Sequence, residues 1–175
     1  WWYPVRLSCE QCSSEITAKY KAQLIKGLHF DTLIDLTAGY GVDTYFMSQS
    51  TIHAHYIERN QDLCQIAEHN FRLTPTNIQV HNTTTEEFLA SETNIEYPAL
   101  FFIDPARRGK GGNKVFLLED CEPNVISLIP TLLVKAQAVL IKLSPMLDIT
   151  AALRALTDAL HTRDIHCEVH VVAVQ

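Results

Sequence analysis

Five short apolar runs, separated by segments of helical periodicity, constrain this chain more than any other feature. "TLIDLTA" (32–38), "TIHAHYIE" (51–58), "NIQVHN" (77–82), "ALFFID" (99–104) and "AVLIKLS" (138–144) are rich in branched and aromatic residues, and polar or turn residues bound most of them. Between them, Ser13 or Ser14 can cap the helix "EITAKYKAQLI", and Glu15 in its first turn suits the helix dipole. Asn60 can cap "QDLCQIAEHNF", whose Leu63, Ile66, Ala67 and Phe71 share a face. Asp148 can cap "ITAALRALTDAL" in the same way, and "CEVHVVAV" (167–174) reads as a final strand. This alternation predicts an α/β fold: a doubly wound, Rossmann-like, mostly parallel sheet with helices on both faces. Ligands of such sheets sit beyond the carboxyl ends of the strands, so the strand ends are where function is sought.

At 175 residues the chain is expected to form a single domain, 1–175, large enough to bury a core. It opens on Trp1 rather than Met, which suggests a fragment of a longer protein. No run approaches the ~20 apolar residues of a membrane span, and no secretory signal pattern begins the chain. A net charge of −6 argues against polyanion binding by the domain as a whole, so contact with nucleic acid needs a local basic patch. Five cysteines, an odd number, argue against a disulfide framework and for a reducing, cytoplasmic setting. Cys9 and Cys12 are spaced as metal ligands, but no second pair completes a site. His53 and His55 share a strand face without a third ligand, so no metal is expected.

The strand ends carry the chemistry. The first continues as "DLTAGYGVDT", in which Gly39 and Gly41 let backbone approach a ligand before the next helix. A dinucleotide fingerprint would have a third glycine where Thr44 stands, which speaks against nicotinamide binding. The second ends in "YIERN", where Glu58 is spaced from the glycine turn as an acid that accepts from both ribose hydroxyls. The fourth runs into "DPARRGKGGNK": an acid, a rigid proline, and Arg107, Arg108, Lys110 and Lys114, four of the 14 basic residues, within eight positions. Lys142 interrupts the apolar fifth run and should face an opening or a partner acid, with Ser144 following beside Asp104 if strands four and five are neighbours.

"DLTAGYG", an acid ending strand two and "DPAR" after strand four together resemble class I S-adenosylmethionine-dependent methyltransferases. The "TAG" core, with Thr37 where many members have glycine, and the "ERN" resemble a nucleic-acid-modifying branch, the small-subunit ribosomal RNA guanine-N2 methyltransferases in particular. The longer pattern "QCSSEITAKYKA … IDPARRG … LEDCEPN … KLSPMLDI" is closer still to a bacterial group that carries a carboxyl-terminal THUMP-like domain. The resemblance extends from about Leu7 to Val174. It implies that Asp35, Ala38, Gly39 and Gly41 wall the methionine part of S-adenosylmethionine, and that Glu58, followed by Arg59, holds the ribose. Thr83, within Asn82-Thr83-Thr84, would flank the adenine where many members have an acid. Ser13, Ser14 and Thr17 on the first helix would cover the cofactor.

By the same resemblance Asp104, Pro105 and Arg107 occupy the catalytic motif, with Ala106 and Arg107 replacing the proline and aromatic ring common in amino methyltransferases. An arginine there resembles the uracil-C5 enzymes. Those need a cysteine near the end of strand five, where this chain has Lys142, Leu143 and Ser144. Cys121 is the only cysteine between strands four and five, in "LEDCEPN", which reads as a helix start. The implied reaction is methyl transfer to a base nitrogen in RNA. Asp104 would accept from the target amine, and Arg107, Arg108, Lys110, Lys114, Lys142 and Ser144 would hold substrate. Two alternatives stay open: a cofactor-binding module without transfer, and a methyltransferase of a small molecule or protein. The family sheet ends with an antiparallel seventh strand, which this chain is expected to lack, leaving a sheet edge exposed.

Overall fold

The structure, a computed structural model, describes residues 1–4, 12–91, 95, 98–107 (Arg107 by its backbone alone), 117–144, 147–160 and 165–173. In chain order they form α1 (Glu15–Lys26), β1 (Thr32–Asp35), α2 (Val42–Ser48), β2 (His53–Glu58), α3 (Gln61–Arg72), β3 (Ile78–Asn82), α4 (Thr85–Ser91) and β4 (Ala99–Ile103). There follow β5 (Ala106–Arg107), a 3-10 turn (Leu118–Asp120), β6 (Cys121–Glu122), α5 (Val125–Lys135), β7 (Ala138–Ile141) and α6 (Ile149–Leu160). The main sheet has the order β3-β2-β1-β4-β7 with every pairing parallel; β5 and β6 form a separate antiparallel clasp.

Neighbours in register share a face of the sheet, and this divides the core. Leu33, Ala54 and Leu100 align on one face, where Ile25, Phe30 and Met47 pack over them from the α1 and α2 side. Ile34 and Phe101 align on the other, beneath Phe88 and Leu89 of α4 and Val125, Ile129 and Leu132 of α5, with Leu156 of α6 packed against the same cluster. Both β1 and β4 are buried along their whole length, as strands covered on both faces must be. The order reverses at β1: β2 and β3 lie to one side of it, β4 and β7 to the other. Such a switch point opens a crevice beyond the strand ends.

The five central strands and the three capped helices stand where the periodicity predicts them. The caps are made as expected by Ser14, which accepts from Thr17 N at 3.3 Å, and by Asn60, which accepts from Asp62 N at 2.9 Å. "LEDCEPN" is not the start of a helix. It is the 3-10 turn followed by β6, and α5 begins only at Val125, where Asn124 accepts from Ser127 N at 3.2 Å. The expected final strand is also absent from residues 167–173. Its valines stand exposed (Val171 80%), because alternation forms a strand only against a partner that completes the ladder. The segment instead brings His170 Nδ1 within 2.9 Å of Tyr20 Oη on α1.

Candidate active site

One cleft of about 950 Å³ lies at the carboxyl ends of the strands, a size suited to a nucleoside-sized ligand. Its floor starts at Asp35, which is wholly buried. Thr44 Oγ1 donates to Asp35 Oδ2 at 2.6 Å and Thr37 N to Oδ1 at 3.2 Å. Burial nevertheless pushes the Asp35 carboxyl up to about 8, with the Thr44 hydrogen bond opposing the rise and Asp43 adding to it.

The bend after β1 needs its glycines. Gly39 and Gly41 have φ of 55° and 85°, the left-handed region. A Cβ on Gly41 would also lie 2.8 Å from Phe71 Cζ and 3.2 Å from a Tyr56 ring carbon. Tyr56 holds the bend from below by donating from its hydroxyl to Gly39 O. Glu58 holds it from the side: Oε2 accepts from Gly39 N at 3.1 Å, and Oε1 from Asn60 N at 2.8 Å. The carboxylate is thereby fixed at the cleft wall with lone pairs to spare.

Asn82 Nδ2 donates to the Glu58 and Arg59 carbonyls at 3.0 and 3.1 Å, securing the next strand end. Thr83 Oγ1 donates to Glu87 Oε2 at 3.0 Å. Thr84 and Glu87 form a capping box at the start of α4: Thr84 N donates to Glu87 Oε2 and Glu87 N to Thr84 Oγ1, each at 3.2 Å. These bonds hold the Glu87 carboxyl below its usual range.

At the β4 end, Asp104 N donates to Thr37 Oγ1 at 2.6 Å, so the residue standing in a common glycine position ties the acid to the β1 bend. Asp104 Oδ2 pairs with Lys142 Nζ at 2.5 Å, each side chain 32% exposed. Burial raises the Asp104 carboxyl above its ordinary range, and Lys142 opposes that rise. The expectation that Lys142 meets an acid is met. A second pair lies deeper: Lys21 Nζ is 2.9 Å from Asp43 Oδ1, and Ser13 Oγ donates to Asp43 Oδ2 at 2.7 Å. Asp43 Oδ1 is buried there with the Lys21 ammonium as its partner.

Of the residues singled out from sequence, Asp35, Ala38, Gly39, Gly41, Glu58, Arg59, Thr83, Asp104, Pro105, Lys142 and Ser144 all line this cleft. Ser14 and Thr17 are not among the lining residues. Their hydroxyls serve the α1 cap, with Thr17 Oγ1 donating to Ser14 O at 3.0 Å, and Cys12 and Ser13 line the cleft instead. Arg59 reaches across the mouth to Glu122 Oε1 at 2.7 Å. The Arg107 side chain, Arg108, Lys110, Lys114 and Cys9 lie outside the described residues. The Cys121 side chain is buried on the lining. Sequence reasoning missed Asp43 as a lining acid and Thr37 as a strand tether. Thr84-x-x-Glu87, which orders the wall beside Thr83, was legible as a capping box. Among the described residues no group of three or more metal-ligating side chains is found, and no helix is long and apolar enough to cross a membrane.

The fold is that of methyltransferases. No protein-family model and no curated protein matches the chain, but solved structures do. A candidate methyltransferase from Porphyromonas gingivalis W83 is 32% identical, with a TM-score of 0.72 over 87% of this chain and 37% of that one. The chain thus spans little more than a third of that protein's length. An S-adenosylhomocysteine-bound methyltransferase from Podospora anserina is 11% identical, with a TM-score of 0.57 over 86% of this chain and 68% of that one. An rRNA methylase from Streptococcus thermophilus is 13% identical, with a TM-score of 0.52 over 82% of this chain and 80% of that one.

Proposed function

We propose that the protein transfers a methyl group from S-adenosylmethionine to a base nitrogen in RNA. The observation that carries this reading is convergence: the Asp35–Gly41 bend, Glu58 and Asp104 come from three strands and line one cleft. The residues present fit the cofactor. Glu58 is fixed to accept from ribose hydroxyls, and the glycine bend admits close approach. S-adenosylmethionine supplies a methyl group made electrophilic by its positive sulfur, which leaves the protein alignment and exclusion of water.

In this reading Asp104 holds the N–H of the target, and Pro105 fixes the direction of the chain beyond it. Arg107, Arg108, Lys110 and Lys114 bind phosphates of the RNA, their charges offsetting the acidic balance of the rest. The fold shared with an rRNA methylase supports an RNA substrate. A THUMP-like domain elsewhere in a longer protein would complete RNA capture. The test is tritiated methyl transfer from S-adenosylmethionine into total RNA, compared with protein and small-molecule pools. Label should appear in RNA, and Asp104→Ala should abolish it while cofactor binding stays within a few-fold. Label confined to another pool refutes the RNA substrate, and unchanged transfer by the variant refutes the role of Asp104.

A further inference from the structure

Asp104 and Lys142 stand side by side for a topological reason. They follow Ile103 of β4 and Ile141 of β7, which are partners in register, and Lys142 N donates to Ile103 O at 2.9 Å. Both side chains line the cleft. Lys142 donates to Asp104 Oδ2 alone among the described residues, and Asp104 Oδ1 accepts from none of them. The pair therefore offers a ligand one hydrogen-bond acceptor beside one cationic donor. The other charged groups acting on it are Lys21 and Asp43, and Asp104 in turn acts on Asp35.

An acceptor beside a donor matches an N–H next to a carbonyl, the lactam edge. Uracil and guanine carry this edge at a ring nitrogen. Adenine and cytosine carry an exocyclic amine next to a ring nitrogen, which matches the same hydrogen bonds, so geometry alone does not choose. The charge does. A cation on the ring nitrogen of adenine or cytosine draws electron density away from the amine and weakens it as a nucleophile. A cation on a lactam oxygen stabilises the anion left when the ring N–H is lost, and that anion is the nucleophile.

We propose that the Asp104–Lys142 pair selects a lactam edge, so that the target is the ring nitrogen of a uracil- or guanine-type base. This rests on the methyl-transfer reading above. The N–H proton passes to Asp104 Oδ1 while the electron pair stays on the base, spread onto the oxygen that Lys142 holds. The nitrogen then forms its bond to the donor's methyl carbon, and the carbon–sulfur bond breaks with its electron pair left on sulfur. Asp104 afterwards returns the proton to solvent.

Two measurements test this. The protein without methyl donor is titrated with labelled oligonucleotides containing uridine or guanosine, with oligonucleotides of adenosine and cytidine only, and with the free nucleosides. The lactam-bearing oligonucleotides should bind about tenfold tighter or better, a preference that Lys142→Met removes and Lys142→Arg retains. Equal binding overturns the proposal. Methylated RNA is then digested to locate the label. Label on uracil N3 or guanine N1 supports the lactam edge, and label on any other ring nitrogen, guanine N7 included, overturns it. Label on an exocyclic amine of adenine, cytosine or guanine overturns it while leaving RNA methylation intact. Label on free uridine or guanosine alone keeps the lactam edge and removes RNA as its source. No label in RNA or nucleosides, with the cofactor bound, overturns the methyl-transfer reading and this inference with it.

Discussion

Replacing Asp35 by asparagine isolates the consequence of burying a carboxyl at the floor of the cleft. In the folded protein this group is pushed up to about 8 from 3.8, and its side chain has no access to solvent. The native state therefore retains a proton that the unfolded chain releases above about pH 4. Where the native state holds more protons than the unfolded state, stability falls as pH rises. The contribution of Asp35 is thus fully present below the unfolded value and is lost as pH climbs through the folded one. Each pH unit in that window is worth about 1.4 kcal/mol, so the loss from about pH 5 to about pH 7 is on the order of 3 kcal/mol. Asparagine keeps the shape and both contacts: its carbonyl accepts from Thr37 N, and its amide donates to Thr44 Oγ1, which turns from donor to acceptor. Urea titrations at several pH values, for wild type and Asp35→Asn, read the difference directly. The variant should lack this downward slope, so that its stability relative to wild type improves with rising pH. Parallel slopes would show that Asp35 is ionised in the native state, and the account of its burial would be wrong.

Gly41→Ala should destabilise the fold by about 1–3 kcal/mol, since the new Cβ meets Phe71 Cζ at 2.8 Å in a left-handed conformation. Thermal unfolding checks this, and a loss below half a kcal/mol would mean that the bend relaxes freely. Glu58→Gln should weaken cofactor binding less than Glu58→Ala, because the amide oxygen can still accept from Gly39 N. The alanine variant should lose about 1–3 kcal/mol in calorimetric titration. Equal losses would separate the bend's support from ribose binding.

The five central strands were legible because β1 and β4 are covered on both faces and so read as unbroken apolar runs between polar boundaries. The placement of the strand-end residues was legible too, since register in a parallel sheet puts Asp35, Glu58, Asp104 and Lys142 at one rim without knowledge of any side-chain angle. Two kinds of feature escaped. The clasp of β5 and β6 is two residues per strand, too short to carry a period. Residues 167–173 have the period without the partner. Ser14 and Thr17 show a different failure: a hydroxyl at a helix start serves its own cap first, and Ser13 and Cys12, just before the cap, line the cleft. Thr37 looked like a departure from a glycine position, yet its hydroxyl accepts from Asp104 N, a long-range contact that no local pattern announces.

The central claim is that the cleft holds S-adenosylmethionine, and isothermal titration of the protein with that compound tests it most directly. The account predicts saturable one-site binding that Glu58→Ala weakens and Asp104→Ala leaves within a few-fold. Absence of binding by wild-type protein that is shown to be folded would contradict it.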